Sequence, residues 1–162
     1  MPAKPQPLEV GVDAPDFTAT THDGEKVSLS SLRGTPVALY FYPKDATPGC
    51  TAQACNLRDN IDALSAAGVA VIGVSPDDLA SHEKFATKHE LPFPLVADPD
   101  HAIIKAYGVW GEKKNYGKTY MGLQRTTFMI DADGVIAHVF KRPKTKEHAE
   151  QVLRKLAEVV GG

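Results

Sequence analysis

The stretch Val37-Ala38-Leu39-Tyr40-Phe41-Tyr42-Pro43-Lys44-Asp45-Ala46-Thr47-Pro48-Gly49-Cys50-Thr51-Ala52-Gln53-Ala54-Cys55 decides how this chain is read. It opens on an apolar, aromatic run of the kind that forms a buried strand, and Pro43 closes that run. Thr47-Pro48 then signals a helix start, with threonine as N-cap and proline at the first helical position, where no backbone N–H is needed. Gly49 allows the backbone to pass close to anything bound beside it. Cys50 falls in the first turn of the helix, directly after a strand.

A cysteine in that place faces unpaired backbone N–H groups and the positive end of the helix dipole. Both favour the thiolate, which is the nucleophilic form. The Thr47 hydroxyl lies three residues before it, able to donate to sulfur or to a substrate oxygen. Cys50 and Cys55 are the only two cysteines in the chain. A pair of small buried hydrophobes is the competing reading; the helix-start position favours thiol chemistry for Cys50, while Cys55 alone fits either reading. A zinc site would need more ligands than these two cysteines. The histidines, His22, His82, His89, His101, His138 and His148, show no paired ligand spacing and are expected to be surface or partly buried residues. No metal is expected.

Working outward, the chain has 162 residues and a formal net charge of −2. That length suits one domain, residues 1–162, with one sizeable core. The charge indicates no general attraction to nucleic acid or to an anionic membrane. Two cysteines are too few for a secreted disulfide scaffold. The first residues lack the apolar stretch of a signal peptide, and no run approaches the ~18–20 apolar residues of a membrane span. A reducing, cytoplasmic setting is expected, where a nearby cysteine pair is more often catalytic than structural.

Residues 1–7 read as a loose arm. Phe17 to Thr20 and Val27 to Leu29 flank the turn signal Asp23-Gly24 and predict a small N-terminal β-hairpin. The helix after Cys50 is expected to run from Pro48 to Ala67 and to end at Gly68, with Leu57, Ile61 and Leu64 as its core stripe. Val69 to Val74 predicts a second buried strand, and Asp77 or Asp78 caps a helix through His89. A short strand at Leu95–Ala97 and a short helix from His101 to Tyr107 follow. Residues 111–122, rich in glycine and lysine, read as an exposed loop. Arg125 to Asp131 and Val135 to Phe140 predict a hairpin with Asp133-Gly134 at its tip. A terminal helix runs from Thr145 to Val160. Two βα units followed by a hairpin and a helix predict an α/β fold, a mixed sheet covered by helices on both faces.

Several of these residues fit a known pattern. Pro43, Thr47 and Cys50 match Pro-x-x-x-Thr/Ser-x-x-Cys, and Arg125, in Gly122-Leu123-Gln124-Arg125-Thr126-Thr127-Phe128, matches a later strand arginine. With Thr47 to Cys55, the Tyr107-Gly108-Val109-Trp110-Gly111 stretch and the closing hairpin, the chain resembles the peroxiredoxins. The likeness is to the bacterioferritin-comigratory-protein, or peroxiredoxin Q, branch, and it runs from about Leu8 to Val160. The resemblance implies a thioredoxin-like fold with an added N-terminal hairpin and a thiol-dependent reduction of hydroperoxides. It implies Cys50 as peroxidatic cysteine, Thr47 as a hydrogen-bond partner of the peroxide, Pro43 as a shield, and Arg125 as the cation at the thiolate. Cys55 stands where one subgroup keeps its resolving cysteine; otherwise another molecule's thiol must resolve. The expected partners are a hydroperoxide and a thioredoxin-like reductant, with no bound cofactor. Two cysteines on one chain make a monomer sufficient. The alternative is a thiol–disulfide oxidoreductase, which usually carries Cys-x-x-Cys at the helix start; here that second position is Gln53. Whether Gln53 faces the site, and whether Trp110 gates a pocket or packs, the sequence leaves open.

Overall fold

A computed structural model of the chain describes residues 4–159. β1 (Thr18–Thr20) and β2 (Lys26–Ser28) form the N-terminal hairpin, and a single 3-10 turn at Ser30–Leu32 follows. β3 (Val37–Phe41), α1 (Pro48–Asp59), α2 (Ile61–Ala66), β4 (Ala70–Ser75), α3 (Leu79–His89), β5 (Leu95–Ala97) and α4 (Ala102–Ala106) make the βα units. β6 (Trp110–Asn115), β7 (Lys118–Leu123), β8 (Thr126–Ile130), β9 (Ile136–Phe140) and α5 (His148–Val159) complete the order.

The central sheet has the order β5-β4-β3-β8-β9. β3, β4 and β5 are parallel, while β8 and β9 run antiparallel to their neighbours. β3 lies in the middle with every residue buried, as a strand covered on both faces must be. Its alternation divides the core. Ala38, Tyr40 and Tyr42 pack with Cys50, Ala54 and Leu57 of α1 and with Ala149, Val152 and Leu156 of α5. Val37, Leu39 and Phe41 pack on the other face with Ile104, Tyr107 and Phe128. This is the α/β architecture expected, with the N-terminal hairpin present.

Three local expectations are corrected. The helix after Cys50 is not continuous to Ala67. Asn60 takes φ −114°, ψ 16°, and its side-chain amide donates to the Asn56 carbonyl, which ends α1 before α2 begins. Leu57, Ile61 and Leu64 nevertheless share the core side, and Gly68, at φ +83°, terminates α2 as expected. Residues 110–123 are not a loop but the β6–β7 hairpin. Tyr116 and Gly117 at its tip both have positive φ, the pattern of a tight hairpin turn. Most of β7 is exposed, so the ribbon has no apolar face to betray its period in the sequence. Finally, His82 and His148 are fully buried rather than at the surface. Of the arm at residues 1–7, positions 1–3 lie outside the described residues. Gln6 and Pro7 lie with their backbone against Gly108, where a Cβ would overlap Gln6 O. Val160 also lies outside the described residues.

Candidate active site

β3 delivers the chain to the start of α1, and Thr47 is the residue before the helix, with Pro48 in its first turn. The Thr47 side chain does not cap α1, however; its hydroxyl donates to Lys44 O at 2.7 Å. Its oxygen accepts no bond from the helix's own amides. Pro43, Thr47 and Gly49 are half-buried, and Cys50 is 1% exposed. Both cysteines are free thiols.

Arg125 arrives just ahead of β8, the strand that lies beside β3. β3 and β8 pair so that Phe41 faces Thr126. One residue further, Arg125 therefore stands beside the loop that follows β3. Its Nη2 donates to Cys50 Sγ at 3.2 Å and its Nη1 to Gln53 Oε1 at 2.5 Å. Gln53, one turn after Cys50, is buried; its amide holds the guanidinium fork in place, and its Nε2 has no protein partner among the described residues. A Cβ at Gly49 would sit 3.2 Å from Arg125 Nη2, so glycine there gives the guanidinium its approach to the sulfur. A cation and a helix start thus converge on one buried sulfur. That arrangement stabilises a thiolate and any negative charge that develops on an oxygen beside it.

The loop between β3 and α1 is anchored from beneath by residues that sequence reasoning did not single out. Asp45 is buried, and its backbone N–H donates to Asp77 Oδ2 at 2.8 Å. Its carboxylate accepts from Tyr42 Oη at 2.6 Å and from Ser81 Oγ at 2.8 Å, and lies 2.6 Å from His82 Nδ1. His82 Nε2 donates to Val96 O at 3.0 Å, and Ser75 Oγ donates to Asp77 Oδ2 at 2.7 Å. These bonds tie the loop to β4, α3 and β5, and hold Ala46 at φ +63°. Asp45, Asp77 and His82 offer atoms within 4.8 Å of one another. The hydrogen bonds just named already satisfy those atoms, which makes the cluster an anchor for the loop. Asp45 in a polar loop gives no sequence signal of this role.

Two other histidines have structural tasks. His148 is buried where Thr127 Oγ1 donates to its Nε2 at 2.8 Å and its Nδ1 donates to Gln151 Oε1 at 2.9 Å. Burial pushes its pKa down to about 4, against the opposing effect of the Gln151 hydrogen bond. His101 stacks on Trp110 with ring centroids 4.0 Å apart, so Trp110 packs. Cys55 is half-buried on a different side of α1, with His89 Nδ1 3.7 Å from its sulfur. No helix among the described residues is long and apolar enough to cross a membrane.

Comparison with known proteins identifies the family. Residues 10–139 match the AhpC/TSA family. The chain is 51% identical over 152 residues to peroxiredoxin Bcp of Escherichia coli strain K12, covering 94% of this chain and 97% of that protein. Its fold superposes on Xylella fastidiosa PrxQ with a TM-score of 0.88 at 30% identity, covering 94% of this chain and 98% of that one. It also matches the Xanthomonas campestris bacterioferritin comigratory protein, studied for its alkyl peroxide reduction, with a TM-score of 0.85 at 32% identity over 93% of this chain and 98% of that one. A buried helix-start cysteine under an arginine, on this fold and with these relatives, makes the chain a member of the AhpC/TSA family, among its Bcp and PrxQ peroxiredoxins.

Proposed function

We propose that this thiol-dependent peroxidase uses Cys50 as its nucleophile and Cys55 as its resolving thiol, and that a thioredoxin-like dithiol protein resets it. The observation that carries the reading is the 3.2 Å contact from Arg125 Nη2 to Cys50 Sγ. The Cys50 thiolate attacks one oxygen of a hydroperoxide. An S–O bond forms, the O–O bond breaks, and the leaving oxygen takes up from solvent the proton that the thiol gave up on ionising, departing as water or an alcohol and leaving sulfenic acid at Cys50. Arg125 and the start of α1 stabilise the charge on the oxygens during that step. The Thr47 hydroxyl donates its hydrogen bond to Lys44 O, so its oxygen accepts from the O–H of the peroxide. The unpartnered Gln53 Nε2 is a further donor beside Arg125, and half-buried Pro43 takes the shielding role that the family pattern gives it.

Cys55 then condenses with the sulfenic acid to give an intramolecular disulfide, and a dithiol reduces it by exchange. Both thiols lie on one chain, so a monomer suffices, and a reducing cytoplasm keeps them cycling. Against the thiol–disulfide oxidoreductase reading stands Gln53. It occupies the second Cys-x-x-Cys position, is buried, and is committed to Arg125.

A coupled peroxide assay with thioredoxin, its reductase and NADPH tests the reading. Cys50→Ser should abolish turnover with the fold intact; more than a few per cent of residual activity would overturn it. Cys55→Ser should consume one equivalent of peroxide and then stall. Full thioredoxin-dependent turnover by that variant would remove Cys55 from the role.

A further inference from the structure

We propose that His89 is the general base of the resolving step, taking the proton from Cys55 as that sulfur attacks the sulfenic acid of Cys50. This rests on the reading of Cys55 as the resolving cysteine. His89 is the last residue of α3 and Cys55 lies on α1, yet their Nδ1 and Sγ are 3.7 Å apart. The placement is built rather than incidental. Arg58 Nη1 donates to His89 O at 2.8 Å, tying the end of α3 to α1 one turn from Cys55. Phe85 packs edge-on against the imidazole, with ring centroids 5.1 Å apart, and fixes its plane. On the other flank of Cys55, the Asn56 side chain donates to Lys146 O at 2.9 Å and accepts from Ala149 N at 2.7 Å. Cys55 is therefore held beside His89, and Cys50, in the first turn of the helix, is the partner that travels.

The charges around the ring favour a proton acceptor. Burial first, and then the positive charges of Lys88 on α3 and Arg58 on α1, hold the His89 pKa below the usual histidine value. Asp59 pairs with Arg58, and Glu90, which follows at the end of α3, also faces Arg58. With its proton on Nε2, His89 presents Nδ1 to the Cys55 thiol. In the step, the S–H proton passes to Nδ1 and the Cys55–Cys50 S–S bond forms. The S–O bond of Cys50 breaks, and the departing hydroxide takes a proton from the imidazolium, directly or through water, to leave as water. The Cys55 sulfur is oxidised, the Cys50 sulfur is reduced, and His89 returns to neutral, so no further reactant is needed.

An unassisted thiol is only a few per cent thiolate at neutral pH, so losing the base should slow resolution by roughly ten- to thirtyfold at pH 7. The test is quench-flow of the full chain with one equivalent of hydrogen peroxide. Intact-mass and peptide-mass readout follow Cys50 sulfenic acid and the Cys50–Cys55 disulfide separately, between pH 6 and 9. Wild type, His89→Ala, His89→Gln and Cys55→Ser are compared. The expected result is sulfenic acid that persists in both His89 variants, with a disulfide rate that climbs with pH and approaches wild type near pH 9. Excess peroxide should then drive more of these variants to sulfinic acid. A His89 variant with the wild-type rate and pH profile overturns the proposal. So does equal slowing of sulfenic acid formation and disulfide formation, which marks a structural role only. If wild type forms no Cys50–Cys55 disulfide, or Cys55→Ser fails to accumulate sulfenic acid, the resolving role of Cys55 fails first and the proposal falls with it.

Discussion

Closing a disulfide between Cys50 and Cys55 should unwind the N-terminal half of α1. That helix is unbroken from Pro48 to Asp59. Five residues of α-helix rise about 7.5 Å and turn about 140° on a cylinder of ~2.3 Å radius, which places the two Cα atoms ~8.6 Å apart. A disulfide spans at most ~7 Å between Cα atoms, and usually ~5.5–6 Å. The shortfall of about 3 Å to the usual span is more than side-chain rotation supplies, and the two side chains leave the helix on different sides. The C-terminal half is held by buried Leu57, by the two bonds of Asn56 and by the Arg58 tie to α3. The N-terminal half is held chiefly by Cys50 and Gln53 under Arg125, and oxidation changes the first of those contacts. Residues 50–54 should therefore open, including the Thr51 N–H bond to Thr47 O. Amide hydrogen exchange on reduced protein and on protein whose disulfide is verified by mass would measure it. Protection over residues 51–55 should fall by at least about tenfold, or ~1.4 kcal/mol of local stability, while the segment after Leu57 keeps its protection. Equal protection of residues 50–56 in the two forms would refute the geometric reasoning.

Three further outcomes are expected. Arg125→Met should lower the second-order rate of peroxide attack by roughly 10²-fold, the usual effect of removing one donor aimed at developing charge, with little change in a denaturation midpoint; stopped-flow peroxide consumption checks it, and a near-wild-type rate would contradict the Cys50 contact. Gly73→Ala should destabilise the fold by about 1–3 kcal/mol, because its Cβ would lie 2.8 Å from Tyr40 Cζ and 2.9 Å from Leu95 Cδ2; urea unfolding reads this directly. Stability should also fall as pH drops from about 6.5 to about 4. His148 is held neutral by burial, with its pKa lowered to about 4, so below the ordinary histidine value the unfolded chain binds the extra proton. That difference corresponds to about 3 kcal/mol lost across the window. His89 and His138, also lowered by burial, act in the same direction. Urea unfolding of His148→Gln at pH 7 and pH 4.5 should show a shallower loss than wild type.

Reading this molecule from residues alone worked where the information is local. The apolar run from Val37, the Thr47-Pro48 helix start, the stripe of Leu57, Ile61 and Leu64, and the Asp133-Gly134 tip are properties of neighbours in sequence. They set the strand, helix and turn regardless of what packs on them, and they put Cys50 at a helix start. The break at Asn60 and the β6–β7 hairpin escaped because side chain–backbone competition and an unpartnered ribbon leave no hydrophobic period to detect. What only the tertiary structure decided are the pairings across distance. The β3–β8 register brings Arg125 to Cys50 across 75 positions, Asp45 finds His82 across 37, and His89 reaches Cys55 across 34. Each depends on strand order and on which face a side chain takes, and a shift of one residue in register would send Arg125 to the opposite face of the sheet. The place of Cys50 at a helix start was legible in the chain; the Arg125 contact at its sulfur and the histidine beside Cys55 exist only once the sheet has closed.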